Sequence, residues 1–220
     1  FDFLEEQKNE NNFINLNCAD SLAALSTEME MGDEDKMGMR RAKDFSARLR
    51  KYARKAANEN SILACSNQER EGAKGAFTPG GKAIPYYSSL RMRIRPLFPS
   101  NKIKKIKKIH DSKQEEIIGI KSEVQITKSS IDKPYRKTTI YIIFGYGIHD
   151  IMGNLIYCKS MLGKKKYIIG NEEFGPNSLD KAIKFVEDNN LENELREKTI
   201  DLWEEIRNEF RIERKPKKRF

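Results

Sequence analysis

Two apolar runs, each closing on a polar side chain and joined by an amphipathic helix, constrain this chain more than anything else in it. Phe13-Ile14-Asn15-Leu16-Asn17-Cys18-Ala19 reads as a short strand that ends at Asp20. A helix begins near Met37, with Met39, Ala42, Phe45, Leu49, Tyr52 and Ala56 recurring at three-to-four spacing. Its other face carries Arg40, Arg41, Lys43, Arg48, Arg50, Lys51 and Arg54. Ser61-Ile62-Leu63-Ala64-Cys65-Ser66 then reads as a buried strand, followed at once by Asn67-Gln68. A strand–helix–strand order of this kind predicts a parallel α/β unit.

The rest of the chain divides by composition. Residues 69–81 form a glycine-rich basic loop, and Tyr86 to Arg95 alternates like a strand. Residues 100–110 are a lysine-dense insertion with Ile103, Ile106 and Ile109 between the lysines. Ile117 to Ile126 and Lys137 to Phe144 read as two more strands around a turn near Pro134, so an antiparallel extension of the sheet is expected. Past Gly147 the composition shifts, and Asp150 to Gly175 reads as a short mixed segment. Two helices follow. One has Ser178 as its candidate N-cap and Leu179, Ile183 and Val186 on one face. The other carries Leu191, Leu195, Thr199, Leu202, Ile206 and Phe210 on one face. Arg211 to Phe220 is a basic tail. The expected organisation is an α/β core over 1–148, a small α+β domain over 149–212 and a tail over 213–220.

Composition narrows the function classes. Hydrophobic residues make up 38% of the 220, enough for a packed core, and the net charge is +9. That charge suits a polyanionic partner such as nucleic acid, or simply a solvated basic surface. Cys18, Cys65 and Cys158 show no CxxC spacing and read as buried reduced thiols. With only two histidines, no zinc-type cluster can be assembled. No run has the length of a membrane span and no signal peptide is visible, so a cytoplasmic protein is expected. Position 1 is Phe rather than Met, which suggests part of a longer protein.

Several residues can carry chemistry. An acidic side chain at a strand end of an α/β unit is where nucleotide hydrolases place a magnesium-orienting carboxylate, which suits Asp20; a turn residue is the plainer reading. Gln68 leaves the next strand, where an amide could touch a γ-phosphate and pass that contact into the loop beyond. In the 69–81 loop Arg70 and Lys74 can meet phosphates, as can Lys82 just past it. The glycines, among them Gly80 and Gly81, allow close backbone approach, and Phe77 could stack on a base. An ordinary surface loop has the same composition. Residues 76–83, AFTPGGKA, superficially match GxxxxGK[ST], but Ala76 and Ala83 replace the glycine and the hydroxyl, and the following residues alternate like a strand instead of opening a helix.

Taken together, these segments resemble the RecA-type recombinase family, from about Phe13 to about Phe210. The resemblance rests on ADSLAAL at 19–25, GDEDKMGMRRAK at 32–43, NSILACSNQ at 60–68, TPGGKAIPYYSSLRMRI at 78–94, SEVQITKSSIDKPYRKTTIYIIFGYGI at 122–148 and GKKKYIIGNEEFGPNSLDKAIKFVEDN at 163–189. It implies a RecA-like ATPase core, ATP and Mg2+ as cofactors, single- and double-stranded DNA as partners, and self-association into helical filaments that exchange strands. It implies roles for single residues as well. Asp20 matches the carboxylate that holds Mg2+ through water, and Gln68 the γ-phosphate sensor. Ser21, Phe144 and Gly145 fall in the nucleotide pocket, and Pro134 matches a nucleotide-binding proline that lies against a neighbour's adenine. Met37, Arg40, Arg41 and Lys43, with Arg50 further along the helix, match the first DNA-binding region. Arg70, Lys74, Phe77, Thr78, Gly80 and Gly81 match the second. Lys128 matches a basic residue that reaches a neighbour's ATP, acting like an arginine finger.

The sequence departs from the family pattern in places. Ser130 stands where a second interface lysine is usual, a role left to Lys133 or Arg136. The second loop is short and the 100–110 insertion is extra. The family's P-loop and catalytic glutamate belong upstream of the Asp20 strand, and its N-terminal polymerisation helix has no counterpart here. A non-catalytic DNA-binding paralogue therefore stands as the alternative to an ATP-dependent recombinase, with another RecA-fold motor such as a helicase as a third reading.

Overall fold

A computed structural model describes residues 13–22, 39–72, 75–77, 83–211 and 214, with backbone alone for 39–42, 44–45, 71–72 and 75–77. The chain divides into two compact units, Phe1–Arg91 with Thr127–Pro134, and Met92–Ile126 with Tyr135–Phe220.

In the first unit β1 (Asn15–Ala19) and β2 (Ser61–Cys65) pair in parallel, in register from Asn15↔Ser61 to Ala19↔Cys65. The 20-residue α1 (Met39–Asn58) connects them, as the sequence predicts. Leu49 of α1 packs with Leu22, Ala83 and Ile84 in a small core, with Tyr87 against it, and Tyr52 is also buried. Lys43, Arg50 and Arg54 lie on the exposed side.

The strands are less buried than expected. Side chains alternate across a strand. Leu16 and Ile62 share the outward face at 63% and 51% exposure. Cys18 and Cys65 are exposed too, which corrects the expectation of buried thiols; Cys158 alone is buried. The reason is the size of the sheet. Among the described residues β1 and β2 form a two-stranded sheet of their own, and two strands cannot cover both of their faces.

The loop expected over 69–81 is partly a ribbon: β3 (Arg70–Gly72) pairs antiparallel with β4 (Gly75–Phe77). The strand expected from Tyr86 starts later. Residues 83–87 form one helical turn, α2 (Ala83–Tyr87), and β5 (Leu90–Pro96) follows it. Pro85 suits the first turn of a helix because its missing N–H would have no partner there. Ser88 Oγ donates back to the Ile84 carbonyl at 2.5 Å. A helix thus does open after the glycine-lysine stretch, which removes one reason for refusing a phosphate loop there. Ala83 supplies a stronger one. It is buried in the core beside Leu49 and has no hydroxyl for a cation.

The second unit is built on β7 (Ser112–Ser129), which has β5, β6 (Lys102–Ile109) and β8 (Lys137–Ile143) as neighbours, with β9 (Gly147–Ile148) beyond β8. Among the described residues this five-stranded sheet has no strand pairing with β1–β2, so the expected extension is not seen in them. β6 and β7 are joined by His110 and Asp111, both at positive φ (46° and 61°), the requirement of a tight mirror-image hairpin turn.

The segment read as short and mixed contains a 12-residue helix, α3 (Asp150–Met161), and a two-stranded hairpin of β10 (Tyr167–Ile169) and β11 (Glu172–Phe174). α4 (Leu179–Asp188) and α5 (Glu192–Glu209) follow. Ser178 occupies the N-cap position but makes no side-chain cap bond. Ile151, Met152 and Leu155 of α3 pack with Tyr167, Ile169, Ala182, Ile183, Val186, Leu195 and Tyr141 as one core. Full burial of Leu155, at 2% exposure, contributes about 1.5–3 kcal/mol. Phe210, expected on the apolar face of α5, lies beyond its end and is 77% exposed.

Candidate functional site

β1 and β2 run parallel, so their C-terminal ends arrive side by side, and the residues that leave them are drawn together. Ser66, just past β2, organises this join. Its hydroxyl donates to Asp20 Oδ1 at 2.8 Å and accepts the Ser21 backbone N–H at 2.7 Å. Its own N–H reaches the Ala19 carbonyl at 3.0 Å, and its carbonyl accepts the Leu22 N–H at 2.9 Å. One hydroxyl has one proton to give and lone pairs to receive, so Ser66 fixes the turn after β1 and orients the carboxylate on it. Ser21 sits at φ 62°, which costs a non-glycine residue on the order of 1 kcal/mol. Asp20 is exposed, so the carboxylate is open to a ligand on the side away from Ser66.

Gln68 is exposed two residues past Ser66, and β3 begins two residues further at Arg70. A displacement at Gln68 is therefore close in the chain to the ribbon. Arg70 is exposed and stands opposite Phe77 in the β3–β4 register. Lys74, Thr78, Gly80 and Gly81 lie outside the described residues, as does Met37. Arg40 and Arg41 fall in the first turn of α1, and Lys43 and Arg50 are exposed on it.

Lys128, near the end of β7, reaches the carboxyl end of α2. Its ammonium donates to the Pro85 carbonyl at 2.8 Å and the Tyr86 carbonyl at 2.7 Å. The last carbonyls of a helix lack intrahelical partners and carry the negative end of its dipole, so a lysine there is well placed. The following turn is held by Ser129, whose hydroxyl oxygen accepts the N–H groups of Ile131 and Asp132 at 3.2 and 3.0 Å. Pro134 closes the turn, half-buried, with Lys133 exposed beside it.

The second unit holds the remaining expected residues. Phe144 and Gly145 lie in the tight turn between β8 and β9, with Gly145 at φ 75° and Phe144 59% exposed. Tyr146 stands beside them, its ring 5.3 Å from that of His149. Arg136 is placed over the Trp203 ring at 5.0 Å, with Arg207 at the same distance, so its cation is committed to an aromatic face.

Asp20, Ser21 and Gln68 are thus grouped at one pair of strand ends, with Ser66 as the member that sequence reasoning missed. A hydroxyl at the exit of the strand parallel to β1 was the available signal. Among the described residues no group of three or more His, Cys, Asp or Glu side chains could hold a metal ion. A single carboxylate with an exposed side fits a hydrated cation held through water, but not direct ligation by several protein groups. Among the described residues no helix is long and apolar enough to cross a membrane.

Residues 4–149 match the RecA N-terminal domain family. The chain is 34% identical over 146 residues to protein RecA of Phytoplasma mali, covering 63% of this chain and 40% of that protein. It is 31% identical over 199 residues to protein RecA of Acholeplasma laidlawii, covering 84% and 56%. It is 29% identical over 157 residues to the chloroplastic DNA repair protein recA homolog 1 of Arabidopsis thaliana, covering 68% and 33%. The chain therefore spans between a third and a little over half of the length of these relatives.

Proposed function

Because this chain belongs to the RecA family, we propose that it is the nucleotide-sensing and DNA-holding part of a homologous-recombination and repair protein. That protein binds single-stranded DNA with ATP, assembles on it as a helical filament and exchanges strands with a duplex. Residues 1–148 are the second part of a RecA-like ATPase core, 149–212 a small C-terminal domain and 213–220 a basic tail, with the cytoplasm as the place of action.

The observation that carries this reading is the join at the strand ends. Ser66 ties Asp20 and Ser21 to the exit of β2, and the same exit continues through Gln68 into the β3–β4 ribbon. A group that senses phosphate and a ribbon that meets DNA are then consecutive along one piece of backbone. Asp20 would hold hydrated Mg2+ through water, Ser21, Phe144 and Gly145 would each contact a nucleotide, and Pro134 would lie against a neighbour's adenine. ATP with Mg2+ would supply the phosphate charge for these groups to sense. Met37, Arg40, Arg41, Lys43 and Arg50 meet DNA from α1 and the residues before it. Arg70 and Phe77 meet it from the ribbon, and Lys74, Thr78, Gly80 and Gly81 belong to the same DNA-binding segment of the sequence. The contacts are mainly to phosphates, so binding is indifferent to sequence and sensitive to salt.

One observation favours a second reading. The Lys128 ammonium is occupied by α2 carbonyls of its own chain, as it would be in a non-catalytic DNA-binding paralogue that never reaches a neighbour's nucleotide.

Single-strand affinity of the full-length protein, measured with and without ATP and Mg2+, tests the proposal. Coupling between two sites is typically worth about 1–3 kcal/mol, a factor of roughly 5–150. ATP is expected to tighten binding by a factor in that range, and Gln68→Ala to remove the effect while leaving ATP-free affinity unchanged. A wild-type response in Gln68→Ala would refute the coupling route. No response in the parent protein would favour the paralogue.

A further inference from the structure

The lysine-dense insertion has no part in the site above. It folds into an arm. β6 and the first half of β7 pair over six positions beyond a register shift, from Lys104↔Ile117 to Ile109↔Ser112, a ribbon about 20 Å long at the usual rise per residue. Every residue from Lys104 to Ile117 is exposed, on both faces of the ribbon. A two-stranded hairpin of this kind buries no core of its own, so its composition reflects what it meets.

Charge and shape together indicate the partner. Lys102, Lys104, Lys105, Lys107, Lys108 and Lys113 oppose Asp111, Glu115 and Glu116. Lys104 is paired with Glu115 at 2.6 Å and Lys108 with Asp111 at 2.8 Å. Lys105, Lys107 and Lys113 form no ion pair among the described residues, and the register places Lys105 and Lys107 on one face with Lys113 on the other. At the root of the arm lies a groove of about 730 Å³ that Lys121, Lys159 and Lys164 also line, with Asp180 as the one carboxylate among the described residues lining it. The positive surface therefore runs from the tip of the arm to its base.

We propose that this arm is a second DNA-binding element, separate from the strand-end site, and that it takes duplex DNA. The major groove is about 12 Å wide and admits a two-stranded ribbon, whose lysines then face phosphates on both walls. Single strands are held by aromatic side chains on which bases stack. From Lys102 to Ser129 there is no Phe, Tyr or Trp, and the two tyrosines of the groove, Tyr141 and Tyr167, are buried. The inference goes beyond the function proposed above and does not require nucleotide binding.

The test compares the full-length protein with the triple variant Lys105→Gln, Lys107→Gln, Lys113→Gln, titrated by fluorescence anisotropy on a mixed-sequence 30-base-pair duplex and on a 30-nucleotide oligothymidylate at several salt concentrations. Each lost phosphate contact is worth roughly eightfold at 0.1 M salt, since log affinity falls by about 0.9 per contact per decade of salt. The triple variant is expected to lose at least about tenfold in duplex affinity and to lower the salt slope by about 2–3, with oligothymidylate affinity held within about twofold. A second variant, with residues 105–116 replaced by Asn-Gly, is expected to lose duplex affinity at least as far. Duplex affinity within about twofold of the parent in both variants, or equal losses on both substrates, would overturn the arm's assignment alone. Absence of ATP-tightened single-strand binding in the parent would instead count against nucleotide coupling through Gln68 and leave the arm's assignment standing.

Discussion

Lys128→Met removes an ammonium and keeps an apolar stem of similar length, which makes it the sharpest probe of the first unit. In the folded chain that ammonium donates to the Pro85 and Tyr86 carbonyls at 2.8 and 2.7 Å. Hydrogen bonds to a charged group are worth about 1.5–3 kcal/mol when well sheltered. Here one of the two contacts is solvent-exposed and water can replace part of it, so about 1–2 kcal/mol for the pair is the appropriate size. The loss falls on a five-residue helix that is too short to be stable without tertiary support. Urea unfolding of Lys128→Met is expected to report a destabilisation of about 1–2 kcal/mol at unchanged slope. A change below about 0.3 kcal/mol would show that the clamp is not formed in solution. The same variant carries a functional expectation. If Lys128 reaches a neighbour's nucleotide in a filament, it must first leave α2, so assembly is opposed by the energy of the clamp. DNA-stimulated ATP turnover should then be lost while DNA binding by single subunits persists, and normal turnover would remove Lys128 from that role.

Two glycine substitutions should move stability in opposite directions. A Cβ on Gly119 of β7 would lie 2.3 Å from the Ile142 carbonyl oxygen and 3.1 Å from Ile143 Cα, so Gly119→Ala should part β7 from β8 and cost about 2–4 kcal/mol in a urea melt. On Gly153 of α3 the nearest atom would be Tyr141 Cδ2 at 3.8 Å, an ordinary contact. Gly153→Ala should therefore gain about 0.5–1 kcal/mol from helix propensity, and a loss would show that α3 is packed differently. Ser66→Ala leaves the Ser21 N–H and Asp20 without their shared partner; at these exposed positions about 0.5–1 kcal/mol of stability is at stake. Its larger expected effect is on Mg2+-dependent nucleotide binding, since Asp20 loses its orientation, and unchanged Mg2+ dependence would separate Ser66 from the site.

Much of the fold was legible because short-range patterns carry it. The 3.6-residue stripe of Leu49 and Tyr52 and the runs before Asp20 and Asn67 are readable one segment at a time. α3 escaped because Ile151, Met152, Leu155, Ile156 and Cys158 lie in a helix with little polar contrast, interrupted by Gly153. Phe210 was misplaced because its spacing fits α5 but the helix ends at Glu209. Within the site, Asp20 and Gln68 stood out by their position at strand exits. Ser66 did not, because its importance lies in a bond to a residue 46 positions away.

The amino-acid sequence alone determined the strand–helix–strand unit that ends on Asp20 and Gln68, three strands of the second sheet (β5, β7 and β8, though not their bounds) and the apolar faces of α4 and α5. These depend on periodicity and turn chemistry, which act within a few residues. Family membership was legible in its ordered motifs for the same reason. Tertiary structure decided which side chains meet at the strand ends, where the Lys128 ammonium goes and that Cys18 and Cys65 are exposed. It also decided that the lysine insertion pairs with β7 as a ribbon exposed on both faces. Each of these depends on which distant segment lies alongside. Desolvation, hydrogen-bond partners and the room left for a Cβ are properties of that neighbourhood, and no local pattern encodes it.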